Sequence, residues 1–385
     1  MHLYNYLKDH DISFEEKAFD EIDALALSRL AFYNFEHVKD GDTFEQISKY
    51  ENLSDITNTI NLKQSDFEFL KLVLSMKRYA HLKVKHFYKD YDTSIEMQYA
   101  SLCFEMGKTA IFAFRGTDGT LVGWKENFNM ISTEVIPSQR VAINYFEKVM
   151  EDEDYQDFYL IGHSKGGNLA VYIAANCSEQ YVDRIIHVYN FDGPGFYRNF
   201  YQGKQYISLR NKITKLSPEE SIIGRILYND CYEIIKSKEK MFLQHWPFFW
   251  IIENDKIKRA PRFAAISNTI DLTLDDVQDE KFDDIKVRVF NAIFDELKAS
   301  NKEYLDEVIF DKKEFKEFCK RLRKNEDYKE VRRFVFDVYK IFRKHNKVEK
   351  AIEKKILGKE YKKSSIILTI KDNILKNFSR WVKWM

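Results

Sequence analysis

Residues 158–172 read FYLIGHSKGGNLAVY. Phe158 to Gly162 form a short apolar run suited to a buried strand, and Gly166 to Asn176 are small and apolar enough for a buried helix. Between them Gly162-His163-Ser164-Lys165-Gly166 has the spacing G-x-S-x-G, followed by Gly167. A serine on a sharp strand-to-helix turn stands clear of the backbone, but the turn crowds the positions two before and two after it. Glycine there relieves the crowding. The first N–H groups of the following helix point toward the same place and favour developing negative charge. The spacing alone is short and arises by accident, and a glycine-rich β–α turn of another α/β protein is the plain alternative. The strand before it and the small-residue helix after it supply the context that makes Ser164 a candidate nucleophile.

Outward from this turn the chain alternates. Residues 95–104 (IEMQYASLCF) and 109–114 (TAIFAF) are strand-like, with a hairpin turn at Glu105-Met106-Gly107-Lys108. Residues 138–150 (SQRVAINYFEKVM) predict an amphipathic helix, and 185–191 (IIHVYNF) another strand. Strand, helix, strand predicts a mostly parallel sheet flanked by helices, an α/β-hydrolase fold. All five prolines lie from Pro137 to Pro261 and nine of the thirteen glycines from Gly107 to Gly195, so the turn-rich part is the middle. Before it, Ile22, Leu25, Leu27, Leu30 and Phe32 suit one helix. After Phe263 there is no proline and only Gly358, and Phe282, Ile285, Val289, Ile293 and Leu297 keep helical spacing, as do Val331, Phe334, Val335, Val338 and Phe342. The expected organisation is a helical lead packed on the core (1–85), an α/β core (86–262) and a helical C-terminal region (263–385).

Composition narrows the function. The 385 residues are 44% hydrophobic and carry no formal net charge, which disfavours a nucleic-acid partner. Cys103, Cys177, Cys231 and Cys319 are scattered, without a C-x-x-C pair, and predict reduced packing residues rather than a disulfide frame or zinc site. The opening residues show no signal-peptide pattern, and no stretch approaches the roughly 20 apolar residues of a membrane span, so a cytoplasmic location is expected. His81 and His86, five apart with no third ligand nearby, predict exposed histidines of a helix or turn. Gly107-Lys108-Thr109 mimics the end of a phosphate loop, but Leu102 stands where its first glycine belongs and a strand follows.

A nucleophilic serine needs a base and an acid, in the chain order serine, acid, histidine for this fold. Three histidines follow Ser164. His187 lies within a predicted buried strand and His345 among charges on a helix; His245, in the aromatic, proline-broken stretch LQHWPFFW, is the base by elimination. For the acid, Asp192 ends the strand after the elbow helix, in FDGPGF, with an Asx-type turn as its plain alternative. Glu219 and Glu220, in KLSPEES, are the rivals. Oxyanion donors are expected from the N–H of Lys165 and from Thr117, in the loop after TAIFAF, where Arg115 suits a structural ion pair.

FRGTD after an early strand, followed by GHS-x-GG-x-L-A, resembles the class 3 lipases. The chain resembles more closely a bacterial family of lipase-like α/β-hydrolases of unassigned function. The resemblance rests on AFRGTDGTLVGWKENFNM, IPSQRVAINYF, GHSKGGNLAVY, FDGPGF and KSKEKMFLQHWPFFW, in order from about residue 20 to about 252. It implies a triad of Ser164, Asp192 and His245 with Thr117 near the oxyanion, and favours Asp192 over the glutamates. Trp246 departs from the pattern, since such members more often carry an acidic residue there. The family supplies no substrate.

The expected activity is therefore that of a serine esterase or lipase-like hydrolase, cleaving a carboxylic ester of a lipid or acyl compound without metal or organic cofactor. Trp246, Phe248, Phe249, Trp250, Ile251 and Ile252 near His245, with Leu121, Val122 and Trp124, suit an acyl pocket, a lid or plain core. Ile366, Ile367, Ile370, Ile374, Phe378, Trp381, Val382 and Met385 share a helical face beside Lys371, Lys376, Arg380 and Lys383. That pattern suits a docked terminal helix or a peripheral membrane contact. The alternatives are a binding or scaffolding protein that has kept the fold, and a peripheral membrane lysophospholipase or thioesterase.

Overall fold

The computed structural model describes residues 1–57, 64–230, 232–278 and 283–357. Cys231, Phe282 and the basic amphipathic stretch from Ile366 to Met385 lie outside the described residues. The chain forms two compact units, one of residues 1–118 and 134–262, the other of residues 119–133 and 263–385.

The first unit is built on a seven-stranded sheet whose spatial order follows the chain: β1 (Lys83–Asp92), β2 (Met97–Met106), β3 (Thr109–Phe114), β4 (Asp157–His163), β5 (Ile185–Phe191), β6 (Ile213–Pro218) and β7 (Glu233–Ile235). The first three pair antiparallel and β3 to β7 pair parallel. Gly107, with φ +64°, makes the tight turn between β2 and β3. The parallel strands are near-continuous apolar runs because both of their faces are covered. Ile111, Ala113 and Ile161 join the core on one face, with the Glu21–Leu30 helix and the rest of the N-terminal lead. Ala110, Phe112, Phe114, Phe158 and Leu160 join the core on the other, under the Pro137–Asp152 and Lys165–Asn176 helices. This is an α/β-hydrolase fold.

The Glu21–Leu30 helix starts at Asp20, whose carboxylate accepts the N–H groups of Ile22 and Asp23 in a reciprocal capping box. Residues 22–30 are buried all round rather than along one stripe, and Phe32 lies beyond the helix end. The lead reaches across the chain as well: the Met1 ammonium donates to the Ile252 carbonyl and Tyr6 Oη to Asp255 Oδ1.

Two sequence expectations change. The helical lead does not run to residue 85, because Lys83–Asp92 is an edge strand. Its alternation is masked by charges that edge strands carry on their open side. His86 is accordingly not on a helix or exposed turn. It sits in a bulge of β1 with φ +52°, and its Nε2 is 2.7 Å from Glu153 Oε1. His81 is exposed.

In the second unit Phe128, from the Leu121–Asn129 helix, packs edge-on against Phe290 and Phe294 of the Asp283–Lys298 helix. Residues 119–133, expected in the core block, are thus grouped with the C-terminal helices. Val289, Leu297, Val331 and Phe334 are buried there, while Ile285, Ile293, Val335, Val338 and Phe342 are half-buried. No helix among the described residues is long and apolar enough to cross a membrane.

Candidate active site

Ser164 stands between β4 and the Lys165–Asn176 helix with φ 60° and ψ −133°, a backbone conformation that a non-glycine residue holds only when its surroundings impose it. The glycines impose it. A Cβ on Gly162 would run into the Gly166 backbone, one on Gly166 into the Phe114 carbonyl, and one on Gly167 into Asn190 Oδ1. The turn is held by Ser164 N–H donating to the Phe191 carbonyl at 2.9 Å and by the Ser164 carbonyl accepting Gly167 N–H at 2.9 Å.

Asp192 follows β5 with φ +53° and is fully buried. Its N–H donates to the Leu216 carbonyl at 2.8 Å. Both carboxylate oxygens are engaged: Oδ2 is 2.7 Å from His245 Nδ1, and Oδ1 accepts Ser221 Oγ at 2.5 Å. Gly224 lets this happen, because a Cβ there would collide with Asp192 Oδ1 and lie 2.7 Å from Ser217 Oγ. The rival carboxylates serve elsewhere. Glu219 Oε1 pairs with Lys236, and Glu220 Oε2 accepts the N–H of Met241, at the start of the turn that carries His245.

His245 ends the one-and-a-half-turn Met241–His245 segment, its side chain about one-fifth exposed. With Nδ1 donating to Asp192, the neutral ring presents Nε2 as an acceptor. His163, next to Ser164, holds the main chain of this residue: its Nε2 donates to the His245 carbonyl at 2.7 Å, and the two rings lie 4.5 Å apart. Burial, with the neighbouring His245 second, pushes the His163 pKa well below the ordinary value, so this ring is neutral. On the other side of the turn the Arg29 guanidinium lies 5.0 Å from the Trp246 ring and 5.4 Å from Phe248. Arg29 is buried and bonded to Asp66 at 2.6 Å. The residue after the histidine thus meets a cation, which an acidic side chain satisfies by charge and Trp246 by its ring face.

The loop after β3 lies against the nucleophile. A Cβ on Gly116 would sit 2.7 Å from the His163 carbonyl oxygen and 3.0 Å from Ser164 Cβ. Thr117 is the next residue and is half-buried. The Arg115 guanidinium donates to the Ala31 and Tyr33 carbonyls at 2.8 and 2.9 Å, where an ion pair was expected, and burial lowers its pKa to about 10. Lys165 opens the helix with its side chain buried and Nζ donating to the Gln98 carbonyl.

The structure therefore brings Asp192 and His245 into one hydrogen-bonded pair beside the Ser164 elbow, with Lys165 on the elbow itself and Gly116, before Thr117, packed against it, and leaves Glu219 and Glu220 off the imidazole nitrogen that Asp192 holds. His187 Nε2 is 2.8 Å from Thr214 Oγ1, and His345 Nε2 is 2.9 Å from Asp276 Oδ2. Ser221, His163, Gln98 and Arg29 were not singled out from the sequence. His163 lay inside the quoted motif and Ser221 next to the rival glutamates, but nothing in the spacing marks either. Cys103, Cys177 and Cys319 are buried free thiols, the first two pushed up to about 12 by burial. Among the described residues no three His, Cys, Asp or Glu side chains gather closely enough to hold a metal ion.

Residues 73–295 match the model of a family described as Mbeg1-like. No curated protein matches the chain. Among solved structures, a mutant form of MDLA from Penicillium cyclopium is similar at 11% identity, over 61% of this chain and 82% of that one, with a TM-score of 0.39. A fungal lipase described for an unusual buried polar cluster is similar at 12% identity, over 66% and 90%, with a TM-score of 0.40.

Proposed function

The chain belongs to the Mbeg1-like family, and from its own side chains we propose that it is a serine hydrolase acting on a carboxylic ester. Ser164 Oγ attacks the ester carbonyl while His245 Nε2 takes its proton. Asp192 keeps the imidazole in the tautomer with Nδ1 protonated and stabilises the imidazolium. The carbonyl oxygen, now an oxyanion, is received by the N–H groups of Lys165 and Thr117. The tetrahedral species expels the alcohol, which leaves with the proton from His245, and water repeats the sequence on the acyl-enzyme.

The observation that carries this reading is the Asp192–His245 hydrogen bond beside a serine held at φ 60°. A buried carboxylate on one imidazole nitrogen has a use when the other nitrogen must act as a base. Phe242, Leu243 and Trp246, exposed beside His245, favour an acyl or lipid-type substrate.

A fluorophosphonate probe tests it without a substrate guess. Intact mass and peptide mapping should locate the label on Ser164, and Ser164→Ala and His245→Ala should abolish it. Folded wild-type protein that takes no label, even with mild detergent, would favour a binding protein on a hydrolase fold.

A further inference from the structure

Lys165 occupies the variable position after the nucleophile in G-x-S-x-G, and its side chain has no part in the reaction above. It is nevertheless buried, at 1% exposure. Taking an ammonium out of water costs several kcal/mol unless its donors are occupied. Here Nζ donates to the Gln98 carbonyl and lies 3.3 Å from Gln98 Oε1. Gln98, on β2, is buried too. The same Oε1 accepts the main-chain N–H of Asp118 at 3.2 Å. Asp118 directly follows Thr117. On the other side of Thr117, Arg115 N–H is bonded to the Ala100 carbonyl at 2.9 Å.

We propose that the Lys165 ammonium and the Gln98 side chain form a tether that holds the Thr117 N–H at the right spacing from the Lys165 N–H, which makes Lys165 and Gln98 positioning residues for oxyanion stabilisation. The inference rests on Ser164 being the nucleophile. Its physical reason is that the two oxyanion donors come from different segments, one a helix start and the other a strand-to-loop turn. Both must lie about 2.7–3.1 Å from a single oxygen. The helix start is fixed by the glycine-packed elbow. The loop contains Gly116 and gains its register from β2, through Ala100 before Thr117 and Gln98 after it. Lys165 ties that same glutamine to the elbow, so one side chain spans the two donors. A displacement of about 1 Å at such a site costs on the order of a hundredfold in rate.

The test is the kinetics of fluorophosphonate inactivation, followed by intact mass at several probe concentrations so that the maximal rate and the half-saturating concentration separate. Lys165→Met keeps the main-chain N–H and removes the ammonium. Gln98→Leu removes the shared acceptor. Each should lower the maximal rate about ten- to a hundredfold, with half-saturation within about twofold, a split that loss of fold would not produce. The double variant should be no slower than the slower single one, because both cut one link. An unchanged maximal rate in the folded variants, with Ser164 labelled in the wild type, overturns the tether and leaves the hydrolase reading standing. Losses that multiply in the double variant also overturn it. An unlabelled wild type overturns both. Should Lys165→Met fail to fold by circular dichroism, Gln98→Leu decides alone.

Discussion

Protonating His163 is costly in this fold. Its Nε2 already donates to the His245 carbonyl, and its Nδ1 is buried with no hydrogen-bond partner among the described residues. A second ring proton would sit there unpaired, beside His245. Burial, and after it His245, accordingly hold the pKa well below the ordinary value of 6.5. The unfolded chain takes up this proton near pH 6.5 while the folded chain does so only at much lower pH. In that window the unfolded state binds one proton more, so the contribution of His163 to stability is present above pH 6.5 and is lost as the pH falls below it. Integrated from pH 6.5 to 5.5, one such site removes about 1 kcal/mol. The ring is only 4% exposed, so solvent screening does not dilute the figure. His163→Gln leaves an amide N–H for the His245 carbonyl and cannot titrate. Urea unfolding of both proteins at the two pH values is the assay. The wild type should lose about 1 kcal/mol more than the variant on acidification, since every other titrating group is shared. Equal losses would show that His163 takes up its proton in the folded state, and would refute the account of its burial.

Two further outcomes follow from the same packing. Asp66→Asn leaves the Arg29 guanidinium, 2% exposed, without its carboxylate, and should lower the unfolding free energy by about 3–5 kcal/mol; a loss under about 1 kcal/mol in denaturant titration would mean that Trp246, Phe32 and Phe248 compensate the charge unaided. Gly166→Ala drives a methyl group into the Phe114 carbonyl, which is strand backbone and cannot step aside. It should cost at least about 2 kcal/mol and slow labelling of Ser164, and wild-type values for both would contradict the elbow geometry.

Much of the fold is legible in the chain because its signals are local. The runs at 158–162 and 185–191 are continuous and apolar, as strands covered on both faces must be, and the helix at 138–150 has its period written in Val141, Tyr145, Phe146 and Val149. β1 is not legible. Lys83, Lys85, Lys89, Asp90 and Asp92 obscure its alternation, and the bulge at His86 breaks what period remains. Arg115 is a similar case: its charge suggests an acidic partner, but the groups that receive its guanidinium are the main-chain carbonyls of Ala31 and Tyr33, 84 and 82 residues away in the chain. No side-chain pattern records a carbonyl.

By itself the sequence determined the elbow at Ser164, because the conflict between a strained serine and its neighbours is settled within six residues by three glycines. It determined His245 as the candidate base only by elimination, and it favoured Asp192, at a strand end before Gly-Pro-Gly, over the Glu219–Glu220 pair without excluding that pair. The choice among the carboxylates belongs to the tertiary structure. Asp192 and His245 are 53 residues apart, and they meet because β5 pairs with β6, Gly224 leaves room for the Asp192 carboxylate, and Glu220 and His163 fix the two ends of the His245 turn. None of these contacts has a spacing in the chain. They exist only once the sheet has assembled and brought the ends of its parallel strands to one edge.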